Sequence, residues 1–136
     1  MLDIRNFTRS KPPRLSYEEI AKAVLPGWDI SLVFVGETRA KKLNEQLRSK
    51  DYTPNVLSYE SGDKSGEIII CTQIAKKECK SYGLTSTQHI GYLFIHGLLH
   101  LKGYPHGPTM DKLERAHTAQ FIGVSVPNGT KNNDRH

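Results

Sequence analysis

Three histidines fall within eleven residues of a mostly apolar stretch, His96-Gly97-Leu98-Leu99-His100-Leu101-Lys102-Gly103-Tyr104-Pro105-His106. Leu93, Phe94, Ile95, Leu98, Leu99 and Leu101 surround the first two rings with positions that build a core. A buried imidazole without a partner costs on the order of 1–3 kcal/mol, so two of them on such a helix need an explanation. His96 and His100 stand one helical turn apart on one face. Gly103-Tyr104-Pro105 turns the chain so that His106 can swing back to the same face. An HxxxH pair alone is more often a pair of satisfied core histidines than a ligand pair. A third histidine at a turn-compatible distance points instead to one metal ion held by His96, His100 and His106.

Three neutral imidazoles and no thiolate form a catalytic type of zinc site, because structural sites are usually closed by four sulfur-rich ligands. The fourth position would hold water, whose pKa zinc can lower to about 7. Nickel and cobalt also accept imidazole. Position 97 is Gly where the H-E-x-x-H helix of a zinc protease carries its general base, which disfavours peptide hydrolysis. Gly97 is expected to leave room for something large to approach the helix. Neutral ligands leave the ion its full charge, and that favours an anionic substrate such as a phosphodiester. No Asp or Glu lies inside the motif, so no side-chain base is named. His89 shares the face of His96 but lies about 10 Å along the axis, and is expected at the surface or behind the ligands. His117 is expected to be an ordinary residue of the last helix.

The elements that must position these rings follow from periodicity and stop signals. Leu2–Thr8, Ile30–Val35, Val56–Tyr59 and Glu67–Thr72 read as strands, the last two joined by a hairpin-type turn. Helices are predicted from a capping box at Ser16 to Leu25, and from Thr38 to Arg48 with Ala40, Leu43 and Leu47 facing inward. Another runs from Thr72 to about Tyr82. A second capping box, Thr85-Ser86-Thr87-Gln88, opens the histidine helix, which Gly103 stops. A last helix spans about Thr109 to Ile122. The expectation is one α+β domain over residues 1–123. It has a four-stranded mixed sheet packed with about five helices, and the histidine helix is central. Residues 124–136 are polar and Asn-rich, the composition of a disordered tail.

The 136 residues suit one domain, and 37% hydrophobic with 24% charged residues is an ordinary globular balance. Ile90–Leu101 is too short for the roughly 18 residues of a membrane span, and no secretory leader pattern opens the sequence. Cys71 and Cys79 match no redox or zinc spacing and are expected to be buried thiols of a cytoplasmic protein. A net charge of +5 favours polyanionic partners.

The histidine segment resembles the H-G-x-L-H-L-x-G-Y-D-H motif of the YbeY family, departing at Pro105. Leu43–Tyr59 resembles that family's L-N-x-x-Y-R-x-K-D-x-P-T-[DN]-V-L-S-F segment, with Thr53-Pro54 inverted, and Gly66-Glu67-Ile68 its G-D-I. The resemblance implies a cytoplasmic, zinc-dependent, single-strand-specific endoribonuclease acting on the 3′ end of small-subunit ribosomal RNA and in ribosome quality control. It implies Arg48 as a catalytic residue, and the small ribosomal subunit and the Era GTPase as partners. Lys50, Asn55 and Ser58 are candidates on the substrate side. Lys76, Lys77 and Lys80, with Arg39, Lys41 and Lys42, are candidates to track an RNA backbone. Pro105 removes a carboxylate beside the third ligand that would orient a ring. Two alternatives stay open: a ribosome-assembly factor with a largely structural metal, and a zinc hydrolase of another substrate class.

Overall fold

A computed structural model describes residues 1–124. The strands are Leu2–Asn6 (β1), Asp29–Val35 (β2), Val56–Gly62 (β3) and Ser65–Cys71 (β4). They form one sheet in the order β1-β2-β4-β3. β1, β2 and β4 are mutually parallel, while β3 pairs with β4 as an antiparallel hairpin. The helices are Tyr17–Val24 (α1), Glu37–Arg48 (α2), Thr72–Glu78 (α3), Ser86–Lys102 (α4) and Pro108–Phe121 (α5). The predicted α+β class, four-stranded mixed sheet and five helices are all present. No helix among the described residues is long and apolar enough to cross a membrane.

Both faces of the central strands are covered, which is why β2 and β4 read as continuous apolar runs. Leu32, Phe34, Ile68 and Ile70 face α1 and α4 in the larger core, and Val33, Val35, Ile69 and Cys71 face Ala40 and Leu43 of α2. α4 is buried nearly all round, as a helix apolar on every side must be. Its start is fixed by the Thr85–Gln88 capping box, each side chain bonded to the other's backbone N–H. Its end is fixed by Gly103, whose φ of 108° is open to glycine at little cost.

Several expectations change. Ser16 opens α1 without a side-chain cap, because its backbone (φ −81°, ψ 58°) is not the extended one from which a hydroxyl reaches the first turn. The helix predicted from Thr72 to Tyr82 tightens after Glu78 into a 3-10 turn, Cys79–Tyr82. In α2 the inward position belongs to Asn44, and Leu47 is 45% exposed. The reason is polar: Asn44 Nδ2 donates to the Tyr52 carbonyl at 2.9 Å and ties down the loop after the helix. The room at Gly97 is taken by the sheet, since a Cβ there would stand 3.1 Å from Ile68 Cγ2. That glycine permits close helix–sheet packing and does not open a ligand passage. Cys71 and Cys79 are buried and unpaired, as expected. Val124 packs against the larger core, and the rest of the expected tail lies outside the described residues.

Candidate metal centre and cleft

His96 and His100 occupy successive turns near the end of α4, and Tyr104 folds back so tightly that its N–H donates to the Leu99 carbonyl at 3.2 Å. This turn brings His106 over the other two rings. The ring centroids lie 4.6 Å apart for His96–His100, 5.4 Å for His96–His106 and 4.6 Å for His100–His106. One ring nitrogen from each lies within 4.8 Å of the other two. His96 is buried, His100 half-buried and His106 exposed, so the cluster opens toward solvent on one side.

The donor set fits a metal ion for a reason visible in the hydrogen bonds. His100 Nδ1 stands 3.1 Å from the Tyr104 carbonyl, which only accepts, so the ring proton belongs on Nδ1 and the Nε2 lone pair faces inward. The buried Glu114 of α5 bonds His96 Nδ1 and, whenever it is ionised, makes the same assignment there. The two Nε2 atoms then confront each other at 3.1 Å. With Glu114 ionised these are facing lone pairs, which repel unless a cation lies between them. Two nitrogens each about 2.0–2.1 Å from one tetrahedral ion would stand roughly 3.3 Å apart.

Electrostatics point the same way. Burial, then the neighbouring His96 and His106 and the Arg48 charge, hold the His100 imidazole down at about 3 against the raising effect of the Tyr104 carbonyl. The ring is therefore neutral near pH 7, as a ligand must be. Burial, with Asp111 adding, pushes the Glu114 carboxyl up to about 8, while the Tyr92 hydroxyl, His106 and Arg115 pull it down. Without an ion that carboxyl is therefore mostly protonated near pH 7, and a divalent cation on the His96 ring would pull it down to the ionised form that keeps the ring proton on Nδ1.

A cleft of about 470 Å³ opens beside His100, lined also by Arg48, Ser58, Tyr59, Glu60 and Gly103. Arg48 closes α2, and its Nη1 donates to the Tyr52 hydroxyl at 3.1 Å. The structure thus brings together His96, His100, His106, Arg48 and Ser58. It places Lys50 and Asn55 elsewhere. Lys50 is exposed outside the cleft lining. Asn55 is 1% exposed, its Nδ2 donating to Glu78 Oε2 at 2.9 Å and its Oδ1 accepting from the Val56 N–H at 2.7 Å. Nor is His89 at the surface: it is fully buried, with Nε2 2.6 Å from Glu78 Oε2.

Sequence reasoning missed Glu114 and the Tyr104 carbonyl, which do the orienting that Pro105 cannot. Glu114 had a signal, because Met110, Glu114 and Thr118 form the buried stripe of α5 at helical spacing. A carboxylate on such a stripe asks for a partner. The Tyr59 hydroxyl bonding Glu67 across β3 and β4 was missed as well.

The family model for endoribonuclease YbeY matches residues 9–122. A Bdellovibrio bacteriovorus endoribonuclease YbeY is 38% identical over 94 residues, 68% of this chain and 63% of that protein. The Bordetella petrii endoribonuclease YbeY is 33% identical over 105 residues, 72% of this chain and 68% of its own length. A Neisseria meningitidis serogroup B endoribonuclease YbeY is 40% identical over 89 residues, 57% of this chain and 53% of that protein. The match thus spans between about half and two thirds of these relatives. The solution structure of TM1509 from Thermotoga maritima shares the fold, with a TM-score of 0.65 at 24% identity over 90% of each chain. On the match of its sequence from Arg9 through the histidine motif to Ile122, the chain belongs to the YbeY endoribonuclease family.

Proposed function

We propose that the protein is a zinc-dependent endoribonuclease that cuts single-stranded RNA. The single observation that carries this reading is the convergence of three ring nitrogens beside a cleft that Arg48 also lines. The family match supports RNA as the substrate. An exposed third ligand and an adjacent open cleft favour catalysis over a structural metal, which sites closed by four ligands serve better. On the resemblance, the reading extends to the 3′ end of small-subunit ribosomal RNA, to the small subunit and Era as partners, and to the cytoplasm.

His96, His100 and His106 would hold the ion, which when bound supplies Lewis acidity and an acidified water at the phosphate. With the ion bound, an ionised Glu114 and the Tyr104 carbonyl would keep the His96 and His100 ring protons on the far nitrogens and leave the Nε2 lone pairs to the ion. Arg48 is always charged and offers a planar fork matching two phosphate oxygens. The Tyr52 hydroxyl holds that fork, so less side-chain freedom is lost when RNA arrives. Ser58 contacts the substrate inside the cleft, and Lys50 meets the backbone outside it.

The test is endonucleolytic cleavage of a labelled single-stranded RNA, and of the same strand in a duplex, by highly purified protein. Cleavage of the single strand should stop with a chelator, return with zinc, and be absent in His100→Ala. An inert zinc-loaded protein, or a His100→Ala variant as active as the wild type, would overturn the reading.

A further inference from the structure

A second cleft, of about 510 Å³, lies at the opposite end of the molecule and is lined by Thr8, Lys11, Gln73, Lys76, Lys77 and Ser86 among others. We propose that it binds phosphates of the same RNA strand, several nucleotides from the scissile bond, with Lys11 and Lys76 as the cationic contacts. This rests on the RNA reading above and goes beyond it by assigning a site remote from the metal centre.

Its position is topological. β1, β2 and β4 are parallel and end at Asn6, Val35 and Cys71, and the segments just beyond those ends supply Thr8, Glu37 and Thr72 to the lining. The crevice outside the carboxyl ends of parallel strands is the usual ligand position in open sheets. Its charge favours anions. Lys77 is engaged by Glu37 at 3.0 Å, whereas among the described residues Lys11 and Lys76 form no ion pair. Arg39 adds positive charge at the rim, its guanidinium held 4.4 Å over the ring of Phe7, next to Thr8. The lining carries no aromatic slab to grip a single base, and both lysines are exposed. Such a surface suits a passing polyanion better than an enclosed nucleotide.

Two helices join this cleft to the catalytic one. Ser86 lines it at the start of α4 and His100 lines the other, 14 residues on, about 21 Å along the axis. Glu37 and Arg48 bracket α2 in the same way, with Lys41 on the stripe between them. At about 3.4 Å per stacked nucleotide, roughly six nucleotides cover that separation.

The experiment compares binding of zinc-loaded wild type and Lys11→Glu/Lys76→Glu to phosphorothioate oligouridylates of about four and about twenty nucleotides, across a salt series. The double variant should lose about tenfold in affinity for the long strand, keep its affinity for the short one, and show a salt slope shallower by roughly 1.4, two contacts' worth. A charge-matched Lys22→Glu/Lys64→Glu control should keep the wild-type length dependence, and an unchanged melting temperature shows both variants folded. Equal losses for both strand lengths would mean that only overall charge was altered, and would overturn the site. So would an unchanged long-strand affinity in the double variant while the wild type binds, which leaves the nuclease reading standing. If the wild type binds neither strand at low salt, both readings fail together.

Discussion

α4 carries two buried histidines seven residues apart, each bonded to a glutamate from a neighbouring element, and they have opposite meanings. His89 gives Nε2 to Glu78, and its Nδ1 ends in the interior with no partner. Glu78 also accepts from Asn55 Nδ2, and the ring stacks on Tyr92 and lies tilted against Tyr82. His96 gives Nδ1 to Glu114 and turns Nε2 toward His100. A histidine–carboxylate pair is therefore not a site in itself. It becomes one when the far nitrogen points where other donors converge. Height along the axis decides this, since the two rings share one helical face: His96 comes level with the turn that returns His106, while His89, about 10 Å away, comes level with the 3-10 turn after α3.

The contrast breaks most sharply at the metal. His100→Ala should lower zinc from about one equivalent to near none and abolish cleavage, whereas His89→Leu should retain the full equivalent. Elemental analysis of the two purified variants decides it. A His100→Ala protein with a full complement of zinc would mean that the converging rings are not its ligands.

Next in size is Arg48, which lines the cleft without belonging to the histidine cluster. Arg48→Ala should leave zinc content unchanged and slow single-turnover cleavage by about 10²-fold, the loss typical of one preorganised charge-stabilising group. Arg48→Lys should recover part of the rate, since an ammonium keeps the charge and loses the fork. If Arg48→Ala sheds zinc together with activity, the residue supports the centre's structure and not its chemistry.

Smaller again is the effect of the carboxylate behind each histidine. Glu114→Gln keeps the volume and an acceptor but loses the charge that strengthens the His96 ring as a ligand. Zinc affinity should fall about tenfold, the lower end for residues that orient metal ligands. Glu78→Gln should leave zinc affinity unchanged. Competition with a chromophoric chelator measures both, and equal losses in the two variants would erase the distinction between the pairs.

The first-order site was legible because its ligands are local in sequence. His96, His100 and His106 span eleven residues, and one helix with one turn brings them together. The α+β sheet was legible for a related reason: β2 and β4 are apolar enough to read as doubly covered strands. What escaped depends on long-range pairing. Glu114 meets His96 across 18 residues and His89 meets Glu78 across 11, and no spacing rule reports which buried polar groups will find each other. Asn55 illustrates the opposite error. Its place beside the Val56–Tyr59 strand suggested a substrate contact, yet a side chain 1% exposed and bonded at both ends holds the fold together.

The smallest effect expected is the one that isolates the sealed pair. His89→Leu removes a ring that touches Glu78, Tyr82 and Tyr92 and leaves a side chain of similar bulk in the same apolar surroundings. The lost bond to a carboxylate destabilises by about 1.5–3 kcal/mol. Two effects offset it. The unpartnered Nδ1, which costs about 1–3 kcal/mol where it lies, disappears, and Glu78 keeps its bond from Asn55 and enough exposure to recruit water. The net change should be a melting temperature lower by no more than a few degrees, with zinc affinity and cleavage within about twofold of the wild type. Calorimetry on the zinc-loaded variant, beside the chelator competition, tests both halves. A clear loss of zinc would show that the ring series from His89 through Tyr92 to His96 transmits strain to the centre, and the two pairs would have to be regarded as one network.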